Sequence, residues 1–80
     1  MTILVLDGDL LGQALEQLAG DELLIVVDPS ADRLEELQQK FPDPRITFLI
    51  GDGVVIPVPD GSVDSVVGDV HPDELRRIRR

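Results

Sequence analysis

The stretch Phe41–Val70, FPDPRITFLIGDGVVIPVPDGSVDSVVGDV, decides the fold of this chain. Its first four residues, FPDP, contain two prolines that end any helix before them. The apolar run RITFLIGD that follows predicts a strand, because it is short and closed by glycine and aspartate. A connection rich in proline and glycine, GVVIPVPDGS, contains a turn at PDGS and leads to a second short strand, VDSVVGD. The stretch therefore predicts two strands joined by an irregular connection.

Helices and strands alternate on both sides of that stretch. TILVLD and ELLIVVD are apolar runs that end in an acid, which is typical of strands buried on both faces. Apolar residues at helical spacing from Leu10 to Leu18 predict a helix between them, which Gly20 ends. PSADRLEELQQKF predicts a helix with Ser30 as its N-cap, and HPDELRRIRR predicts a closing helix with Pro72 in its first turn. This alternation predicts an α/β fold, in which right-handed βαβ units build a parallel sheet with helices on its faces.

Composition narrows the classes of function. The chain has 80 residues, so a single domain covering residues 1–80 is expected. A net charge of −9 and the absence of tryptophan and tyrosine disfavour binding to nucleic acid, and the charge also disfavours an anionic membrane. There is no cysteine, so disulfides and thiolate zinc sites are excluded. No signal peptide or membrane-spanning run is visible, and a cytoplasmic location is therefore expected.

Each of the four predicted strands ends at an aspartate. These residues are Asp7, Asp28, Asp52 and Asp69. Ligands of open parallel sheets bind beyond the carboxyl ends of the strands, and a carboxylate after the second strand suits two ribose hydroxyls. An acidic cluster could also hold Mg²⁺ or Ca²⁺, although no loop has the ligand spacing of a calcium site. Alternatively, these aspartates only form turns and cap helices.

No catalytic residue is predicted. The single histidine, His71, precedes Pro72 at a predicted helix start and is expected to cap that helix or lie at the surface. Ser30, Ser62 and Ser65 lack the G-x-S-x-G context of a nucleophile, and the chain contains no P-loop motif for phosphate.

From Val5 to Arg80, the order of these motifs resembles class I S-adenosylmethionine-dependent methyltransferases. In that family the third strand ends in Gly-Asp, a connection ending in PDGS follows, and the fourth strand comes after Val-Asp, as in the quoted stretch. VVDPSADRLEEL is similar to the family's second strand, its acidic end and the next helix. The resemblance implies a Rossmann-like three-layer sandwich, with a short parallel sheet of about four strands in the order 3-2-1-4 and helices on both faces.

The resemblance also implies a cofactor, S-adenosylmethionine, and a role for each matching residue. Asp28 would accept the ribose hydroxyls, and Asp52 would face the adenine amino group. Gly53 and Val54 would offer backbone at the base, and Asp7 would help to hold the amino end of the methionine part. The expected cofactor-binding set is therefore Asp7, Gly8, Asp28, Asp52, Gly53 and Val54.

The turn after the first strand departs from the family pattern G-x-G-x-G. DGDLLGQAL has only Gly8 and Gly12 and is two or three residues short. Leu10 and Leu11 would crowd the cofactor or already belong to the helix. Asp9 would repel a pyrophosphate at the helix N-terminus, which counts against a dinucleotide more than against a cationic sulfonium.

The sequence also stops before the family's fifth strand, so we expect the N-terminal half of such a domain, inactive as an isolated chain. The fourth strand would then be an exposed apolar edge, SVDSVV, and such edges pair with other chains. A homodimer joined through this edge is therefore predicted.

Three functions follow from these observations. The first is a degenerate or minimal methyltransferase-like module that binds S-adenosylmethionine. The second is a non-catalytic structural or interaction protein that kept the fold and lost the cofactor. The third is a receiver-like phosphoacceptor domain using Asp7, Asp9 and Asp52, which is disfavoured because no lysine follows Lys40.

Overall fold

A computed structural model describes residues 1–6, 8–18 and 20–80 of the chain. Within these ranges, four strands form one parallel sheet in the order β3-β2-β1-β4, which confirms the predicted α/β topology. The elements are β1 (Thr2–Val5), a short 3-10 helix (Gly8–Leu10), α1 (Leu11–Glu16), β2 (Leu23–Asp28), α2 (Ala31–Lys40), β3 (Ile46–Ile50), β4 (Ser65–Val67) and α3 (Pro72–Ile78).

Strand β1 occupies the centre of the order, paired with β2 on one side and β4 on the other. The chain runs outward from β1 through β2 to β3 and then returns to the opposite side of β1. The strand order therefore reverses between β1 and β4, and a crevice at such a reversal is where open parallel sheets bind ligands.

One face of the sheet is covered by the first two helices. Leu11 of α1 and Leu34 and Leu37 of α2 pack in one buried cluster with the strand residues Val5 and Val26. The first helix ends at Glu16, earlier than the apolar spacing predicted, although Leu18 still packs against this cluster. The α2 helix begins as predicted, because the Ser30 side chain accepts a hydrogen bond from the Arg33 N–H.

The opposite face is covered by α3 and by the connection between β3 and β4. Ile56 and Val63 from the connection join Ile78 of α3 in a second buried cluster, against Leu4 and Val27 of the sheet. The two clusters lie on opposite sides of the strands, which confirms a three-layer Rossmann-like sandwich. Its second outer layer is part helix and part irregular chain.

A polar clamp joins α3 to that connection. Glu74 accepts hydrogen bonds from Arg77 and, at 2.7 Å, from the Ile56 N–H. These two donors lower the pKa of Glu74 to about 2, the Arg77 bond contributing most. Arg77 also donates to the Ile56 and Val58 carbonyls, so three backbone groups of these two residues anchor the connection to α3. Within the described ranges, no helix is long and apolar enough to cross a membrane.

After α3 the chain turns back to run beside the start of β4. Arg79 pairs with Val63 in a parallel bridge, and the Arg80 N–H donates to the Val63 carbonyl at 3.0 Å. This pairing covers Val63 within the predicted edge SVDSVV, and the rest of that edge includes β4 itself, Ser65–Val67.

Candidate functional site

The crevice at the strand-order reversal is an open cleft of about 570 Å³. Residues that follow or end all four strands contribute to its walls, so the sheet topology brings together positions that are distant in sequence. The lining residues are Leu6, Leu10, Val27, Pro29, Gly51, Asp52, Gly53, Gly68 and Asp69.

Gly53 lets the two loops of the cleft meet closely. A Cβ at this position would lie 2.7 Å from the Asp69 carbonyl oxygen, so only glycine allows this approach. The Gly53 carbonyl in turn accepts a hydrogen bond from the His71 N–H at 2.8 Å. The loop after β3 and the segment after β4 are therefore held together at backbone level, and they form two adjoining walls of the cleft.

Gly68 shapes the cleft at the end of β4. Its φ of 115° lies in a region that residues with side chains rarely adopt, and a Cβ there would come within 2.9 Å of the Leu6 Cβ. The chain can therefore leave β4 sharply, beside the end of β1, where the cleft opens.

Asp52 organises the loop after β3 and remains charged. Its Oδ1 accepts the Val54 and Val55 N–H groups, each at 2.8 Å. These two bonds, the Val55 bond first, lower the pKa of Asp52. Both bonds end on Oδ1, which leaves Oδ2 to accept a hydrogen bond from a ligand. Val54 itself is 64% exposed and is not part of the lining, and its N–H is used by Asp52.

Asp28 is placed differently from what the ribose role requires. The residue is only 8% exposed and is absent from the lining, whereas its neighbours Val27 and Pro29 belong to it. One carboxylate oxygen, Oδ1, accepts the Ser30 N–H at 2.8 Å. The other oxygen, Oδ2, lies 3.4 Å from the Arg33 Nε. Both oxygens are therefore engaged inside the protein.

Gly8 faces a second cavity, of about 380 Å³, between the first turn and α2. A Cβ on Gly8 would lie 2.8 Å from the Leu37 Cδ1 and 3.2 Å from the Arg33 Nε, so this glycine lets α2 approach the turn. Asp7, which was expected to hold the methionine part, lies outside the residues that the structure describes, as does the side chain of Asp9.

The structure thus brings Asp52 and Gly53 of the expected set to the cleft, together with Asp69 from the predicted acidic edge. Leu6 and Pro29 were not singled out as ligand contacts, because contact across strand ends depends on topology and has no local motif. Of the two leucines expected to crowd the cofactor or to belong to the helix, Leu10 ends the 3-10 helix and lines the cleft, and Leu11 is buried in α1. Among the described residues there is no group of three His, Cys, Asp or Glu side chains that could hold a metal ion.

A family model described as a methyltransferase domain matches residues 8–69, which is more than half of the 80-residue chain. Searches of curated proteins and of solved structures gave no significant match. The matched range contains both loops of the cleft, Gly51–Gly53 and Gly68–Asp69.

Proposed function

The chain belongs to the methyltransferase-domain family, and from that premise we propose that its cleft binds S-adenosylmethionine or S-adenosylhomocysteine. The observation that carries the proposal is the position of the cleft, at the reversal of strand order and between the loops after β3 and β4. Binding at this edge of an open parallel sheet is a general property of such sheets.

The chemistry of the lining suits the adenine end of the ligand. Leu6, Leu10 and Val27 offer apolar surface to a flat base. The free Oδ2 of Asp52 can accept the adenine amino group, while Oδ1 keeps the loop in place. The backbone of Gly53 lies at the same wall without a side chain to exclude the base.

The charge of the lining suits the cationic end of the ligand. Asp52 and Asp69 are the ionisable side chains in the described part of the lining, and both are acids. Carboxylates attract the sulfonium and ammonium groups of S-adenosylmethionine and repel the phosphates of a dinucleotide. This distinction favours a sulfonium cofactor over a nucleotide diphosphate.

Binding without methyl transfer by this chain alone is the second part of the proposal. When bound, the cofactor would supply an electrophilic methyl group. The described lining supplies carboxylates for binding, and His71, whose N–H bonds to Gly53, is not itself a lining residue. At the α3 N-cap its Nδ1 accepts the Asp73 N–H at 3.3 Å. The residues of this chain therefore bind and orient the ligand and have no assigned step in activating a methyl acceptor.

Calorimetric titration with S-adenosylhomocysteine tests the binding. Asp52→Asn is the informative variant, because asparagine keeps an Oδ1 for the loop but replaces the free acceptor with a donor. Loss of a hydrogen bond to a charged acceptor should weaken binding about tenfold or more. Asp21→Asn makes the same change in the turn before β2, at the amino end of the strands and away from the cleft, and should leave the affinity unchanged.

Absence of heat from the unmodified protein, together with no rise in melting temperature at millimolar ligand, would remove the binding proposal. Equal weakening by both variants would show that net charge matters and the Asp52 contact does not.

One observation favours a second candidate, a non-catalytic structural or interaction protein that kept the fold and lost the ligand. Asp28 has both carboxylate oxygens engaged by Ser30 and Arg33, and Gly8 accommodates Leu37. Two expected ligand positions therefore serve packing within the protein. The same titration separates the candidates, because this one requires a folded chain that gives no binding heat.

A further inference from the structure

We infer that Arg33 sets the affinity of the cleft for its ligand by competing with the ribose hydroxyls for Asp28. This inference rests on the proposed function and adds a residue to it that belongs to no recognised binding motif of the chain. The structural basis is the ion pair between the Arg33 Nε and the Asp28 Oδ2, at 3.4 Å. Asp28 lies between two lining residues of the cleft, Val27 and Pro29, and the Arg33 side chain covers it from the neighbouring cavity beside Gly8.

Asp28 can bind a vicinal diol only through both of its oxygens. A carboxylate receives one hydroxyl on each oxygen in the arrangement that recognises ribose. In the structure Oδ1 already accepts the Ser30 N–H and Oδ2 faces Arg33. A carboxylate oxygen has room for a second donor, so the Ser30 bond can remain while a hydroxyl arrives. The bulky guanidinium is the group that must leave.

Arg33 can leave because its side chain has an exit to solvent. The side chain is 43% exposed, whereas that of Asp28 is 12% exposed. The backbone of Arg33 is fixed separately, since its N–H donates to the Ser30 Oγ at the α2 N-cap. Rotation of the side chain therefore does not require the helix to move.

The position of Arg33 on α2 also favours its release. It lies in the first turn of the helix, where the positive end of the helix dipole disfavours a cation. Gly8 provides the space that lets the side chain lie here, because a Cβ on Gly8 would come within 3.2 Å of the Arg33 Nε. The ion pair with Asp28 is one of the interactions that hold the guanidinium at this end of α2, and a ligand that binds Asp28 weakens it.

The test compares Arg33→Gln with Arg76→Gln in calorimetric titrations of the full chain. Arg76 is the matched control, because its side chain is 79% exposed and pairs with Asp73 in α3, away from the cleft. The glutamine at position 33 keeps the backbone N–H that Ser30 caps. The ligands are S-adenosylhomocysteine, adenosine and 2′-deoxyadenosine, which lacks one of the two hydroxyls.

Arg33→Gln should tighten the binding of S-adenosylhomocysteine and adenosine about two- to fivefold, the range expected when a partly exposed ion pair no longer competes. The affinity for 2′-deoxyadenosine should rise less, so the ratio of the adenosine and 2′-deoxyadenosine affinities should increase. A merely structural loosening would change both ligands alike.

Unchanged or weaker binding of adenosine by Arg33→Gln, with binding by the unmodified chain intact, would overturn this inference and leave the proposed function standing. An equal effect of Arg76→Gln would also overturn it. Absence of binding by the unmodified chain and by both variants would instead refute the proposed function, and this inference with it.

Discussion

Replacing Gly53 with alanine tests the contact that holds the two loops of the cleft together. The new Cβ would lie 2.7 Å from the Asp69 carbonyl oxygen, whereas ordinary contacts of this kind begin at 3.4 Å. Relief requires the backbones to separate by about 0.7 Å. The 2.8 Å hydrogen bond from the His71 N–H to the Gly53 carbonyl lies at the same place and would be stretched.

The expected cost follows from the nature of that contact. Overpacking a site whose neighbours cannot rotate away costs about 1–3 kcal/mol, and the neighbour here is backbone. A chain of 80 residues has a free energy of unfolding of roughly 4–12 kcal/mol, so the loss is a substantial fraction. The melting temperature of a domain of this size falls by about 4–8 °C for each kcal/mol.

Gly20→Ala is the matched control for this substitution. Gly20 lies in the turn before β2, and a Cβ there would meet no heavy atom within 4 Å. Both variants lose the same glycine flexibility in the unfolded chain, a gain in stability of about 0.4–1 kcal/mol. The difference between the two variants in the free energy of unfolding therefore isolates the contact with Asp69.

Urea unfolding followed by far-ultraviolet circular dichroism is the appropriate assay, since the chain contains no tryptophan or tyrosine. Gly53→Ala should unfold at clearly lower urea than Gly20→Ala, with the same dependence on urea concentration. Coincident curves would refute the close approach of the two loops and, with it, the described shape of the cleft.

Three further predictions concern the packing of α3 against the rest of the protein and the free edge of the sheet. The hydrogen bonds from Arg77 and Ile56 lower the pKa of Glu74 from the ordinary 4.5 to about 2. The stability that these bonds contribute is therefore complete above about pH 4.5 and is lost as the pH falls through about 2. In urea unfolding, Glu74→Gln should therefore be destabilised at neutral pH, and the difference should shrink toward pH 2; a pH-independent difference would contradict this. Ile78→Ala should cost about 2–5 kcal/mol, since Ile78 is fully buried and joins α3 to the sheet, and a loss under about 1 kcal/mol in thermal unfolding would contradict that packing. Pairing of two chains through β4 stays a prediction from the sequence: light scattering at tens of micromolar should show a dimer that Ser65→Lys, which spares the packed Val66, converts to a monomer. A monomeric unmodified chain would refute it.

The topology of the sheet could be predicted because each strand has a strong local pattern. TILVLD and ELLIVVD are uninterrupted apolar runs, and their alternation with helical patterns leaves few possible connections. The irregular layer over the second face was harder to foresee. Ile56 and Val63 are buried there without regular secondary structure, because α3 satisfies the backbone of the connection through Glu74 and Arg77.

Only part of the site could be predicted from the sequence, because the rest depends on contacts between separate elements. Asp52 and Gly53 belong to a local motif, and both lie at the cleft. The engagement of Asp28 by Arg33 depends on the first turn of α2 folding back over the end of β2. The contact of Gly8 with Leu37 likewise depends on how α2 packs against the first turn. Such competition for a carboxylate or a space between neighbouring elements leaves no pattern in the sequence.

A crystal structure of the chain grown with S-adenosylhomocysteine tests the central claim most directly. We expect electron density for the ligand in the cleft, with the adenine amino group within hydrogen-bond distance of the Asp52 Oδ2 and the base between Leu10 and Gly53. Displacement of Arg33 from Asp28 in the same crystal would accompany binding of the ribose. An empty cleft at saturating ligand, or density only in the cavity beside Gly8, would contradict the account.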